Sequence, residues 1–435
     1  MRRRLRRWGP QPGIATATPV ALPPRGPQPL AQTEAPGRLV RWALYVFLFS
    51  LPFDAPDQLV LELSTITGSL FLLATLWQAR VCYGRQPAAL WWFVAYLFIY
   101  WVSFALGHST DRLDALKSFL FYVQAVSIFW ACSNLMRHEG VTHRALITLV
   151  IAGVILAFLA ITGLGKISET HSGRVVVFGQ DPNFEARNLT IALLTAIGLA
   201  YGRARAVLRP RLLVWPIAAL IITAMVLSGS RGQLLALAAG LWAFSLTGNT
   251  LGARVKNMIL AVVVIGLCGW GAMQSPMMQR RIQQAESGNL AKREDLFPVA
   301  WQMFKERPLT GWGPDNQTVL AIRLRLPPAL HQTRDTHNTF LQILTGTGIL
   351  GLIPFLMGLG LCTWASWKAR RGPEGILPFS HMAALWVANQ SINFIVLKSQ
   401  WVLFAYVLAS ASFLRPPPQQ PITGQAGRTR RSMWG

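Results

Sequence analysis

The stretch Ala88 to Leu106, AALWWFVAYLFIYWVSFAL, carries no charged residue from end to end. Roughly 20 consecutive apolar residues suffice to cross a bilayer as a helix, and runs of that kind recur along almost the whole chain. Inside hydrocarbon every backbone polar group needs an internal partner, which a helix supplies within one segment. Composition agrees: 52% of the 435 residues are hydrophobic and only 13% are charged, against about 25% charged in a typical soluble domain. The expected fold class is all-α, a polytopic membrane protein with about twelve transmembrane helices.

The expected spans lie near 40–55, 58–78, 89–107, 114–134, 145–164, 186–202, 212–229, 231–247, 257–273, 338–366, 377–396 and 399–414. Pro52 and Pro216 are expected to break the first and seventh of them, a defect that neighbouring helices can re-satisfy. A net charge of +24 is compatible with a nucleic acid partner, but lysine and arginine collect in cytoplasmic loops of membrane proteins. With the N-terminus inside, most of the 41 basic residues fall in the tails and alternate loops, as in GRARAVLRPR and KARR. Both termini are therefore expected in the cytoplasm, with no nucleic acid partner.

Three regions follow: a basic, proline-rich tail over 1–38, a transmembrane domain over 39–414, and a second such tail over 415–435. The tail MRRRLRRWGPQPGIATATPV has no apolar core and does not read as a cleavable signal. Cys82, Cys132, Cys268 and Cys362 show no C-x-x-C spacing and read as small packing residues. The expected outer face bears two longer loops, near 165–185 and 274–336, the second lying between spans nine and ten. A loop that long in a compact protein is usually functional. Within it Leu296, Val299, Ala300 and Met303 are spaced as one face of a short amphipathic helix.

Candidate chemistry gathers on that face. Arg231 in SGSRGQ lies between two apolar runs, with serine and glycine neighbours and no acidic residue nearby. It reads either as an arginine snorkelling to the headgroups or as a cation waiting for a visiting anion. His337 in DTHNTF follows Asp335 at the mouth of a span; it reads as a polar anchor or as a proton acceptor. Gly346, Gly348 and Gly351 are spaced for close helix packing. In GQDPNFEARN, Asp181 and Asn183 cap a helix start with Arg187 further in, and Arg174 lies just upstream. Arg293 is unremarkable by itself. RPLTGWGPDN, Arg307 to Asn316, reads as a turn-rich element closing the long loop.

Taken in order, DPNFEARN, SGSRGQ, REDLFPVAWQMFKERPLTGWG and THNTFLQILTGTGILG resemble the O-antigen ligase and O-antigen polymerase superfamily of bacterial inner-membrane glycosyltransferases. The resemblance runs from about Gly173 to Leu361. It implies a GT-C-like arrangement of spans and a large periplasmic loop over a cavity. It also implies an undecaprenyl-diphosphate-linked glycan as donor, transferred with inversion and with neither metal nor cofactor. The acceptor would be lipid A–core or a growing glycan, in a multi-pass protein of the inner membrane surrounded by its lipids. Arg231, Arg293 and His337 would be the catalytic residues, with Arg174, Asn183, Arg187 and Asn338 binding substrate. Many relatives carry an acidic residue where this chain has Gly346; its role would be absent or supplied by Asp335.

The chemistry suits those residues independently. A diphosphate leaving group gathers negative charge, which guanidinium forks bind bidentately. A ligase is favoured over a polymerase, which would extend repeat units on the carrier. A protein O-oligosaccharyltransferase is expected to carry a further C-terminal region, whereas this chain ends soon after span twelve. A solute carrier would show internal repeats with charges near the midplane. No such halves are evident, and the candidate charges collect at one face.

Overall fold

The computed structural model describes residues 35–54, 62–106, 112–164, 177–201, 211–246, 250–286, 293–314, 319, 322, 324–326, 336–391, 393, 395 and 397–414. Arg174, Asp335 and the tails 1–34 and 415–435 lie outside them. Helices dominate, and the described residues form no β-sheet. They are α1 (Arg38–Ser50), α2 (Leu63–Leu76), α3 (Ala79–Tyr83), α4 (Ala88–Leu106), α5 (Arg112–Leu135), α6 (Glu139–Thr162), α7 (Pro182–Tyr201) and α8 (Val214–Ser228). There follow α9 (Arg231–Ser245), α10 (Leu251–Met273), α11 (Pro276–Glu286), α12 (Arg293–Glu306), α13 (Thr339–Ala369), α14 (Leu377–Ala388) and α15 (Lys398–Ala411). Among the described residues, five helical stretches are long and apolar enough to cross a membrane: Ala88–Leu106, Leu116–Leu135, Glu139–Thr162, Arg254–Met273 and Thr339–Ala369. The chain is a polytopic membrane protein.

Several boundaries depart from expectation, each for a local reason. Pro52 ends α1 at Ser50 rather than kinking it. Pro216 sits in the first turn of α8, where its missing N–H costs nothing, so that helix is not broken. The expected span 377–396 stops at Ala388, where polar residues turn aside.

The largest departure is inside α13. Gly348 adopts φ 66°, ψ −167°, a conformation open essentially to glycine, and divides the helix in two. It is therefore a break and not the helix-packing glycine its spacing suggests. The RPLTGWG segment is laid along the break. The N–H groups of Trp312 and Gly313 donate to the carbonyls of Thr345 (2.9 Å) and Gly346 (3.0 Å). In return the N–H groups of Ile349 and Leu350 donate to those of Pro308 (2.9 Å) and Leu309 (3.3 Å). Backbone groups freed by the break thus regain partners, the condition for irregular chain at this depth. A Cβ at Gly348 would collide with the Leu309 carbonyl. The guanidiniums of Arg307 (4.0 Å) and Arg325 (4.3 Å) lie over the Trp312 ring, and its Nε1 donates to Met303 O at 2.8 Å.

Two packing styles hold the helices. Around Phe93 of α4, rings interlock: Phe129 at 5.2 Å and Trp401 at 5.0 Å meet it edge-on, and Phe404 stacks at 5.5 Å. Around α7, small residues allow close approach. Gly153 of α6 lies against Ala192, and Gly240 of α9 against Leu194. Lipid tails are as apolar as leucine, so such packing rather than water exclusion drives helix association here.

Candidate functional site

At one end of the helices, four starts and one finish converge. The start of α7 follows from its sequence: Asp181 Oδ1 accepts from Asn183 N (2.7 Å) and Asn183 Nδ2 (2.9 Å), while Pro182 opens the first turn. This is the capping role the sequence suggests. Gln180 Nε2 donates to Pro52 O at 2.9 Å and Asp54 O at 2.5 Å, tying the same point to the end of α1.

Asn183 Oδ1 accepts from Ser230 Oγ at 2.7 Å. Ser230 is the residue before α9, where a serine ordinarily caps the helix, yet no side chain caps this one. Gly229, at φ 64°, provides the left-handed reversal from α8. Arg231 opens α9 and is half-buried. Its neighbour Gly232 touches the following element so closely that an added Cβ would stand 2.5 Å from Ser391 Cβ.

That element is the turn Asn389–Gln390–Ser391, which finishes α14. Asn389 O accepts from Thr339 N and Asn389 Oδ1 from Thr339 Oγ1, both at 2.9 Å. Gln390 Oε1 accepts from Asn338 Nδ2 at 3.0 Å. Ser391 O accepts from Arg293 Nη2 at 2.5 Å. Three consecutive residues therefore bind the starts of α13 and α12 and cover the start of α9.

Asn338 is the N-cap of α13, its Oδ1 accepting from Phe340 N and Leu341 N at 3.0 Å each. The residue before it, His337, has φ 50°, one of two non-glycine residues with positive φ among those described. Left-handed backbone at a non-glycine residue costs on the order of 1–3 kcal/mol and concentrates at functional sites. The surroundings impose it: Thr336 Oγ1 donates to Asn338 O at 3.0 Å and Thr336 N to Gln342 Oε1 at 3.2 Å. His337 itself is partly exposed.

From Asn338 and Gln390 an open, mostly apolar cleft of about 560 Å³ runs along α13. Phe297 and Trp301 of α12, Leu344 and Leu356 of α13 and Trp386 of α14 line it. The α12 face read from the sequence is present, with Leu296, Ala300 and Met303 buried.

Of the residues singled out by sequence, Asn183, Arg231, Arg293, His337 and Asn338 all stand at these helix starts. Arg187 is buried one turn further into α7. The turn at 389–391 escaped notice because it lies within a run, ALWVANQSINFIVL, whose average is apolar. Four amide or hydroxyl residues in five positions, NQSIN, are the signal that marks it.

Residues 216–356 match the family model described as O-Antigen ligase. That stretch holds Arg231, Arg293, His337 and Asn338 and ends before the turn. The chain is also 23% identical over 369 residues to the General O-oligosaccharyltransferase of Acinetobacter baylyi (strain ATCC 33305 / BD413 / ADP1). The alignment covers 78% of this chain, which spans 59% of that relative's length.

Proposed function

We propose that this O-antigen-ligase-type membrane protein moves a glycan from undecaprenyl diphosphate to an acceptor hydroxyl, that of lipid A–core, on the periplasmic face of the bacterial inner membrane. About twelve spans in a GT-C-like arrangement, with 274–336 as the periplasmic loop and both termini in the cytoplasm, complete the reading. One observation carries it. Arg293 bonds Ser391 at 2.5 Å, Ser391 covers the glycine next to Arg231, and the adjoining Gln390 holds Asn338, the residue after His337. Arg231, Arg293 and His337 thus belong to segments gathered around one turn, at the head of an apolar cleft suited to a lipid chain.

The roles follow from charge. As the acceptor oxygen attacks the anomeric carbon, the bond to the diphosphate breaks and its electron pair stays on the leaving phosphate. Arg231 and Arg293 stabilise that charge, and His337 receives the acceptor's proton. The configuration at carbon inverts because attack and departure take opposite sides.

Replacing Arg231 or His337 by alanine should lower transfer by about 10²–10⁴-fold, the usual range for such groups, with insertion unchanged. Arg231→Lys should also be impaired, since a point charge lacks the fork. Undiminished transfer by both alanine variants in a cell-based assay would refute the roles. In a deletion strain, long chains stranded on the carrier mean ligase; single repeat units mean the alternative, a polymerase.

A further inference from the structure

The polar atoms that the helices bury are not all provided for. Gln233, third residue of α9, is fully buried, and neither its Oε1 nor its Nε2 has a hydrogen-bond partner. Asn389 is fully buried as well; its Oδ1 is taken by Thr339 Oγ1 but its Nδ2 has no partner. Leaving a buried amide unpaired costs on the order of 1–3 kcal/mol. Such groups are rare in native proteins, and each calls for an explanation.

Both amides belong to elements that touch. Gly232 meets Ser391, so the first turn of α9 lies against the turn that contains Asn389. The same turn of α9 is uncapped, because Ser230 Oγ is committed to Asn183. Its leading N–H groups lack intrahelical acceptors, and the helix dipole makes that end attractive to anions. Helical Cα–Cβ bonds lean toward the N-terminus, so Gln233 is directed back over this turn.

We infer that the first turn of α9 and the Asn389–Ser391 turn part to admit the glycosyl diphosphate. Gln233 Nε2 and Asn389 Nδ2 then donate to phosphate oxygens, beside the N–H groups of Gly232 and Gln233. The chemistry selects this ligand class. A diphosphate oxygen only accepts, which suits both amide nitrogens and the helix start. Gln233 Oε1 needs a donor, and the first sugar's hydroxyl offers one. A bare anion satisfies the nitrogens alone. The inference rests on the donor proposed above and adds two binding residues to it.

The decisive variant is Gln233→Leu, near in volume but unable to bond. Full-length chain in nanodiscs would be titrated with undecaprenyl diphosphate and with the glycan-loaded carrier, alongside Arg231→Ala. Expected results are an unliganded Tm at or above wild type, about tenfold weaker binding of loaded carrier, and a raised KM with little change in kcat. Gln233→Glu should bind more weakly still, because it sets a carboxylate against phosphate. Equal binding by Gln233→Leu while Arg231→Ala loses it would overturn this inference alone. A Tm lowered in Gln233→Leu with affinity intact would also overturn it, marking the amide as part of the packing. Wild type that binds neither carrier would overturn both this and the proposed donor.

Discussion

The ring cluster around Phe93 and the polar junction around Ser391 solve opposite problems. In the cluster, Phe93, Phe129, Trp401 and Phe404 are buried against one another, and the one ring donor, Trp401 Nε1, is satisfied by Ile395 O at 2.9 Å. None of the four rings leaves a polar atom without a partner. At the junction, Arg293 and Asn338 reach across to a turn, His337 is held left-handed, and Gln233 and Asn389 keep unpaired atoms. Stability is concentrated in the first region and binding capacity in the second. Such a division is expected where a site carries strain that the rest of the fold must offset.

The strongest attempt to break that division is Trp401→Ala. Removing a buried indole with edge contacts to Phe93 and Phe404 should cost about 3–5 kcal/mol of stability. Transfer per folded molecule should be unchanged. A variant with native Tm and no transfer would show that the two regions are one.

Gly348→Ala comes next and tests the joint between them. Its backbone conformation costs a non-glycine residue roughly 1–3 kcal/mol, and the new methyl would press on Leu309 O. The 308–313 segment should be dislodged, moving α12 and Arg293 relative to α13. Expected are a lowered Tm and a fall in transfer greater than unfolding explains. Transfer that declines only in step with folded fraction would place the break in the structural half of the molecule.

The sequence made the helices legible because apolar runs have a length and a composition. It made Arg231 and His337 stand out because a polar or charged group beside such a run is costly, whereas Arg293, in the long loop, was marked only by the family resemblance. Three things were hidden. The break at Gly348 looks like a packing glycine, since a small residue serves either purpose and only the strap at 308–313 distinguishes them. The Asn389–Ser391 turn is drowned by its neighbours in any average, and its partners lie about 50 to 100 positions away. Gln233 reads as an ordinary helix residue; its lack of a partner exists only in three dimensions.

The smallest predicted effect sharpens the contrast from the far side. Glu374, in the turn between α13 and α14, is half-buried, and this burial raises its carboxyl from the usual range to about 7. Unlike Gln233 it has a partner: Ser410 Oγ donates to its Oε2 at 2.7 Å. Because the folded value lies above that of the unfolded chain, the folded state is penalised once the carboxyl must ionise. The contribution is complete in acid, erodes as pH rises above the ordinary carboxylate range, and is lost once pH passes about 7. Tm should therefore fall by a few degrees between weakly acidic and weakly alkaline buffer, and Glu374→Gln should flatten that slope without changing KM. If the slope survives in Glu374→Gln, the titrating group lies elsewhere. A KM that changed with it would mean that partnered polar atoms, and not only unpaired ones, belong to the binding region.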